Sequence, residues 1–394
     1  MKIAYNDGIK LAISDGTPNL RDSDYISNYY AVTQKSNDSL EWKTSGYGAA
    51  FRGETQASHG GEKVEAYINS VACISENEAL YSFSVNNMSG LYKKNFALEK
   101  DSESHVIHSN TTEFLGVDYN EQTESAVASI KTDSVCANIA LIDVKSGDYR
   151  AVTGGDSKDS NPSYSVFKPN TVLYDTSGVG RDYGGSFVKY APAKLAALEL
   201  DGMNITELYG DDNYSYVCPK DDKNGNIYCI RRPVKEKKKR NLFIDILLIP
   251  WRILQAIYYF LESFVMLFTG KTFTEKSENP TKGRSRSSRQ ILIDGNLIEA
   301  DKEFKRNQRN KDKLAGFVPL SWQLVKISGG NVEVIKKGVS SFDIEDDGAI
   351  VCANGRHVLR IKDGKTEKTA DGSAILKVAA LKSHPDNLSG GIFG

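Results

Sequence analysis

Strand-like runs recur along the chain at a nearly constant interval, and this repeat is the feature that most restricts its fold. The runs that begin each repeat unit are centred near Tyr29, Ala72, Leu115, Tyr164 and Tyr216. Their centres are 43, 43, 49 and 52 residues apart. The next comparable run centres on Phe342, and it keeps the interval if residues 232–316 are an insertion. A repeat of about 40–50 residues with several short strands predicts the blades of an all-β propeller.

The two ends of the chain are expected to share one blade. The run 374–380 would supply its inner strand, and residues 2–5 and 9–13 the next two. Closing a ring in this way removes exposed sheet edges. With this composite blade the ring has seven blades, formed by residues 1–231 and 317–394. Six blades stay open as an alternative, because residues 22–66 are hard to divide into strands.

Two segments resemble the repeat of a known family. Residues 153–165 read Thr-Gly-Gly-Asp-Ser-Lys-Asp-Ser-Asn-Pro-Ser-Tyr-Ser, and an apolar run follows at 171–174. This resembles the WD40-like repeat of TolB-type propellers, with Tyr164 in place of the family's tryptophan. Residues 200–208 are similar to the Asp-Gly hairpin that ends such blades. The resemblance covers one to two blades and implies the fold. TolB-like proteins are typically periplasmic and carry a signal peptide, so their envelope role is not carried over.

Charge is distributed unevenly between the ring and the insertion. The whole chain of 394 residues has a net charge of -1, which is unlike a generally basic nucleic-acid binder. Residues 231–313, however, contain 20 basic and 10 acidic side chains, a net charge of +10, and the remainder therefore carries −11. Such asymmetry indicates two parts with different surroundings.

The insertion, residues 232–316, contains a basic cluster followed by a long apolar stretch. The stretch predicts two amphipathic helices over about 241–269, separated at Pro250, because its polar residues share a stripe of about 100°. A polar loop that we expect to be mobile follows at 272–290, and then a β-hairpin at 290–299 about Asp294-Gly295. A transmembrane span is not expected, since one crossing would separate blades of the same ring.

The residues expected to attach the protein to a membrane or partner combine the basic cluster with the apolar and aromatic side chains of these helices. They are Lys235, Lys237, Lys238, Lys239, Arg240, Phe243, Trp251, Ile253, Leu254, Ile257, Tyr258, Phe260, Leu261, Phe264, Leu267 and Phe268. Three alternatives remain for the apolar face: an anionic membrane surface, a protein partner or second copy, and the chain's own propeller. Nucleic acid is not an expected partner, because no nucleic-acid-binding motif occurs.

Motifs for catalysis, metal or cofactor binding are not found. The sequence has no Gly-x-Ser-x-Gly, His-Glu-x-x-His, Walker or EF-hand pattern, and no cofactor is expected. His105 and His108 have a ligand-like spacing, but positions i and i+3 of a regular strand face opposite ways, which argues against a metal site. The five scattered cysteines are expected to be free thiols.

These observations together predict a non-catalytic cytoplasmic scaffold that attaches through its insertion to a protein partner, to a second copy in a homo-oligomer, or to the inner face of a membrane. The cytoplasmic expectation follows from residues 1–8, which show no apolar signal-peptide region. The alternative is a hydrolase-type enzyme with its site in the central channel of the propeller. Converging carboxylates or histidines with shifted pKa values at the channel would favour that alternative.

Overall fold

Six antiparallel sheets of four or five strands and a separate two-stranded hairpin form the molecule in a computed structural model, which describes residues 2–15, 18–44, 65–99, 102–131, 133–234, 289–310 and 313–382. Each of the six larger sheets is one blade, numbered in chain order. Blade 1 has the strand order β27-β1-β2-β3, blade 2 β4-β5-β6-β7, blade 3 β11-β10-β9-β8, blade 4 β12-β13-β15-β16 with β14 paired to β13, blade 5 β17-β18-β21-β22, and blade 6 β23-β24-β25-β26.

The strands of the first three blades precede residue 152, apart from β27. They are β1 (Ile3–Asp7), β2 (Lys10–Ser14), β3 (Pro18–Asp22), β4 (Ala66–Ser75), β5 (Glu78–Val85), β6 (Met88–Asn95), β7 (Glu103–Ser109), β8 (Glu113–Asn120), β9 (Ser125–Lys131), β10 (Asn138–Asp143), β11 (Tyr149–Ala151) and β27 (Val378–Ala380).

The remaining strands build blades 4 to 6 and a separate hairpin. They are β12 (Ser157–Tyr164), β13 (Thr171–Arg181), β14 (Phe187–Tyr190), β15 (Lys194–Glu199), β16 (Asn204–Tyr209), β17 (Tyr214–Asp221), β18 (Ile227–Pro233), β19 (Gln290–Ile293), β20 (Asn296–Glu299), β21 (Gln323–Ser328), β22 (Asn331–Lys337), β23 (Ser341–Ile344), β24 (Ile350–Ala353), β25 (Gly355–Lys362) and β26 (Lys365–Ile375).

The inner strands of the six blades form a closed ring. Each packs against the inner strands of both neighbouring blades, in the order β27, β4, β8, β12, β17, β23 and back to β27. Five of these strands contain or end at the predicted unit starts Ala72, Leu115, Tyr164, Tyr216 and Phe342. The predicted propeller fold is therefore confirmed, with six blades. The sheet of blade 1 contains strands from both ends of the chain, since Ile3 pairs with Ala380.

The expected seventh blade was wrong because the run near Tyr29 is a helix, α1 (Asp24–Thr44). Ser23 Oγ accepts a hydrogen bond from the backbone N–H of Ile26 at 3.2 Å, which satisfies a donor in the first turn. Tyr25, Ile26, Tyr29 and Tyr30 share one helical face, and this face packs against the core between blades 1 and 2. The aromatic and β-branched residues of this run favour a strand by composition, but their spacing is that of a helix.

Apolar side chains fill the spaces between neighbouring blades, where the faces of two sheets meet. One such core joins Ile3, Tyr5 and Ala12 of blade 1 to Val351 and Val358 of blade 6. Others lie between blades 2 and 3 and between blades 3 and 4. Because each core depends on two blades, the blades stabilise one another as a ring.

The long connection within blade 5 joins β18 to β21. Its described part contains the β19–β20 hairpin and a helix that the sequence did not predict, α2 (Ala300–Arg309). At the hairpin turn Asp294 and Gly295 have φ of 46° and 78°, as a two-residue type I′ turn requires. Residues 1–233 and 291–394 form one compact unit and residues 234–290 a second. The predicted helices at 241–269 and most of the loop at 272–290 lie outside the described residues.

Candidate functional site

The predicted attachment residues, from Lys235 to Phe268, all lie outside the described residues. The candidate site described here is therefore the propeller itself: its central channel and the end of the ring from which the insertion leaves. We call the end where the inner strands begin the upper end. In a four-stranded antiparallel blade, the connection between the second and third strands lies at this same end.

Three charged side chains of different blades converge near the lower end of the channel. Lys220 of β17 forms an ion pair with Asp343 of β23, with 2.9 Å between Nζ and Oδ1. Asp118 of β8 is close enough to raise the pKa of Lys220. We name these three residues the acid cluster, because it has two carboxyl groups and one amine.

Burial and mutual attraction act in opposite directions in the acid cluster. Burial alone would lower the pKa of Lys220, but Asp343 and Asp118 raise it well above its ordinary value. The pKa of Asp118 is raised, because burial outweighs both the nearby Lys220 ammonium and a 2.8 Å hydrogen bond from the backbone N–H of Tyr164. Lys220 is therefore a permanent cation near neutral pH, which excludes it as a nucleophile in this state.

A second cluster with the opposite composition lies at the upper end of the channel. Asp294, at the hairpin turn, accepts from Arg232 of β18 at 2.7 Å and from Lys377, just before β27, at 2.9 Å. The Arg232 guanidinium also lies over the Trp322 ring, 3.8 Å from its centroid. We name Arg232, Asp294 and Lys377 the base cluster. It joins the hairpin to two blades of the ring.

The base cluster keeps its carboxylate ionised. Burial alone would raise the pKa of Asp294, but Lys377 and Arg232 lower it far below the usual range for an aspartate. Burial alone would also lower the pKa of Lys377, but Asp294 raises it above the ordinary value. The hairpin turn is thus held by two charge-assisted hydrogen bonds in a largely buried site.

Two half-buried cysteines and a buried carboxyl group lie near these clusters. Burial raises the pKa of Cys73 to about 11 and that of Cys218 to about 12. Burial also raises the pKa of Asp175 to about 6, although Asp175 accepts hydrogen bonds from the Cys218 backbone N–H at 3.0 Å and from Asn161 at 2.8 Å. Both thiols are protonated near neutral pH and so are poor nucleophiles. All five cysteines of the chain are free.

The upper end of blade 4 presents exposed aromatic and apolar side chains. Strands β13 and β14 extend beyond the blade as a hairpin, residues 179–190, with Tyr183 fully exposed at its tip and Phe187 and Val188 exposed behind it. The base of this aromatic hairpin is fixed, because Arg181 forms a bidentate ion pair with Asp156 at 2.6–3.1 Å. An exposed tyrosine with apolar neighbours is typical of an interaction surface.

The insertion leaves and returns at the same end of the ring. Within residues 232–316, the chain leaves the ring after Pro233, where β18 ends, and returns at β19, whose hairpin turn contacts Lys377 at the start of the inner strand β27. Both the aromatic hairpin and the insertion are connections between the second and third strands of adjacent blades. The structure thus places the two ends of the basic insertion on the face that also exposes Tyr183.

His105 and His108 lie together on β7, against the expectation from the sequence. Their facing nitrogens, Nε2 and Nδ1, are 2.8 Å apart. A β-bulge at Val106 shifts the register, so that His105 lies opposite Tyr92 and His108 opposite Gly90. Residues i and i+2 of β6 share a face, and the two histidines therefore do as well. The prediction that the two histidines face opposite ways was wrong, because the bulge inserts one extra residue between them.

Among the described residues, no helix is long and apolar enough to cross a membrane. Likewise, the parts of the chain that the structure describes contain no group of three or more His, Cys, Asp or Glu side chains that could hold a metal ion.

Comparisons with known proteins found only low similarity. No family model and no curated protein matches it. Among solved structures, TolB from Acinetobacter baumannii matches with TM-score 0.47 and 9% identity, covering 96% of this chain and 66% of that chain. A nidogen/laminin complex matches with TM-score 0.46 and 7% identity, covering 96% and 97%. The tricorn protease matches with TM-score 0.42 and 11% identity, covering 96% and 35%.

Similarity this low supports no conclusion about activity or partners. The fold assignment rests on the six sheets and their closed ring of inner strands. The chain is therefore a six-bladed β-propeller, and its sequence resemblance to TolB-type propellers agrees with that fold.

Proposed function

We propose that this protein is a non-catalytic propeller scaffold that attaches to an anionic membrane surface through its basic insertion, at the cytoplasmic face of that membrane. The observation that carries the proposal is the shared upper end of the ring: the chain leaves after Pro233 and returns at β19 at the end where blade 4 carries the exposed aromatic hairpin. Basic residues provide attraction to anionic lipid, and exposed aromatic side chains suit the lipid–water interface. Five free thiols are typical of a reducing compartment.

In the proposed scaffold, the base cluster connects the insertion to the ring. The insertion returns to the ring through a hairpin whose turn residue, Asp294, is held by Arg232 and Lys377. The hairpin of the insertion is therefore connected to blades 5 and 1 through these contacts. The ring then presents its remaining loops as a second binding surface for a protein partner.

The test is flotation of the full chain with vesicles of phosphatidylglycerol and, separately, of phosphatidylcholine. One variant changes Lys235, Lys237, Lys238, Lys239 and Arg240 to Gln; the matched control changes Lys10, Lys35, Lys223, Lys337 and Lys365, all exposed on the propeller. At about 1 kcal/mol per basic residue, the first variant should bind anionic vesicles at least about a hundredfold more weakly. The control should bind like the wild type.

A second pair of variants tests which end of the ring contacts the membrane. Tyr183→Ser removes the exposed aromatic tip at the upper end, and Phe167→Ser removes an exposed aromatic ring from the β12–β13 connection at the lower end. We expect only Tyr183→Ser to weaken vesicle binding. Equal flotation of all variants would show the membrane proposal to be wrong, and a mass in size-exclusion chromatography that depends on residues 235–290 would indicate attachment to a second copy instead.

A hydrolase-type enzyme is the second candidate, and one observation favours it: Asp118 and Asp343 converge on Lys220 inside the channel, and the pKa of Asp118 is raised. A carboxyl group with a raised pKa beside a second carboxyl group is an arrangement used in acid–base catalysis. Hydrolysis of a sugar or peptide substrate panel that is abolished by Asp118→Asn would establish this function. Activity unchanged in that variant would remove the channel as its site.

A further inference from the structure

We propose that His105 and His108 form a bidentate site for a divalent transition-metal ion with tetragonal geometry, Cu²⁺ above all. This site lies on β7 of blade 2, in a different blade from the insertion and the aromatic hairpin. The proposal does not depend on the proposed function. Both imidazoles are exposed, and their facing nitrogens are 2.8 Å apart.

The backbone of blade 2 places the two rings for this role. The bulge at Val106, a buried residue, brings both histidines to one face of the sheet. The Tyr92 ring contacts His105 edge-on, with 5.3 Å between centroids, and so limits its orientation. Gly90 lies opposite His108, and a Cβ there would come within 3.1 Å of His108 Cα and Cβ. The absence of a side chain at Gly90 therefore leaves room for His108.

The distance between the nitrogens selects the geometry of the ion. At metal–imidazole bond lengths of about 2.0–2.1 Å, two cis ligands at 90° lie about 2.8–3.0 Å apart, whereas a tetrahedral angle needs about 3.3–3.4 Å. The observed 2.8 Å fits the first arrangement. Tetragonal nitrogen and oxygen coordination is typical of Cu²⁺ and Ni²⁺, and Cu²⁺ binds most tightly in the divalent series. Zn²⁺, which prefers a tetrahedral site, should bind more weakly.

Proton balance allows this binding near neutral pH. When both rings are neutral, one facing nitrogen carries the proton that it donates to the other. When the metal binds, that proton moves through solvent to the other nitrogen of the same ring. Two neutral imidazoles then ligate the ion with no net proton release. Because no cluster of three protein donors occurs within the described ranges, water completes the coordination.

The test is a titration of the metal-free full chain with Cu²⁺, followed by electron paramagnetic resonance, with Zn²⁺ in a parallel titration. We expect one tight equivalent of Cu²⁺ with nitrogen hyperfine coupling. His105→Gln and His108→Gln should each weaken it by about tenfold or more, because a chelate loses one of its two linked ligands. His357→Gln is the matched control, since His357 is paired with Asp371, and it should leave the affinity unchanged.

A second measurement does not depend on the variants folding. Acylation of the wild type by diethylpyrocarbonate, mapped by mass spectrometry, should be suppressed by Cu²⁺ at His105 and His108 and continue at His357. Unchanged acylation at the pair would overturn the proposal. So would a Cu²⁺ affinity that is the same in both single variants as in the wild type, or Zn²⁺ binding as tight as Cu²⁺ binding.

Discussion

The two charged clusters of the channel have opposite compositions and connect different parts of the molecule. The acid cluster places one base, Lys220, between two carboxyl groups on three inner strands of the ring. The base cluster places one acid, Asp294, between two bases and joins a hairpin of the insertion to the ring. Each central residue compensates two charges of the other sign.

The difference matters because acids and bases respond differently to the loss of a partner. A buried carboxylate can take up a proton and become neutral, and the pKa of Asp118 is already raised. An arginine cannot lose its proton under such conditions. When the acid cluster loses its cation, a carboxylate can therefore bind a proton and become neutral. When the base cluster loses its carboxylate, Arg232 stays charged. The base cluster's connection between insertion and ring is the more fragile of the two.

The largest effect should follow from Asp294→Asn, which leaves Arg232 and Lys377 buried beside each other without a counter-charge. We expect the free energy of unfolding to fall by about 3–5 kcal/mol, measured by urea denaturation at pH 7. Asp22→Asn is the control, because its pair with Lys10 is exposed and should contribute less than about 1 kcal/mol. Equal losses in the two variants would show that the base cluster does not hold the hairpin.

A smaller loss, about 1–3 kcal/mol, should follow from Lys220→Met, because Asp118 can take up a proton when its cation is removed. Removing the ammonium raises the pKa of Asp118 further. The native state of the variant then binds more protons than its unfolded state, so its stability rises as the pH falls from 7 to 5. Urea denaturation at both pH values measures this. A loss that is larger at pH 5 than at pH 7 would contradict the account.

An effect of similar size but opposite sign is expected at Asp175, near the base cluster. Its folded-state pKa of about 6 lies above the ordinary aspartate value near 4. The group therefore favours the folded state most below pH 4, and this contribution is lost as the pH rises from about 4 to 6. Asp175→Asn keeps an oxygen for the Cys218 and Asn161 donors but cannot ionise.

Relative to wild type, Asp175→Asn should gain roughly 1–3 kcal/mol of stability between pH 4 and pH 7. Thermal or urea denaturation across this range tests the sign. A difference between variant and wild type that does not change with pH would show that Asp175 titrates normally.

Sequence periodicity was sufficient to predict the propeller but not its blade number. Five unit starts lie on inner strands, because strand runs and turns report local backbone preference. The run at Tyr25–Tyr30 is helical, and its Tyr and Ile content alone could not distinguish this from a strand. Its spacing of residues 25, 26, 29 and 30 was the available signal. The helix α2 was missed because its residues are mostly polar.

The channel clusters could not be predicted, since their members are far apart in sequence. Asp118, Lys220 and Asp343 meet only because three blades place their inner strands around one axis. Asp294 was expected as a turn residue, and its pairing with Arg232 and Lys377 depends on where the hairpin packs. The histidine pair was missed for a local reason, because a β-bulge cannot be seen in a regular alternation pattern.

Hydrogen–deuterium exchange of the full chain, with and without phosphatidylglycerol vesicles, tests the central claim most directly. Attachment by the upper face predicts slower exchange in residues 235–268 and in the aromatic hairpin at 179–190. The lower-end connections at 165–170 and 222–226 should exchange at unchanged rates. Unchanged exchange in 235–268, or equal protection at both ends of the ring, would contradict the account.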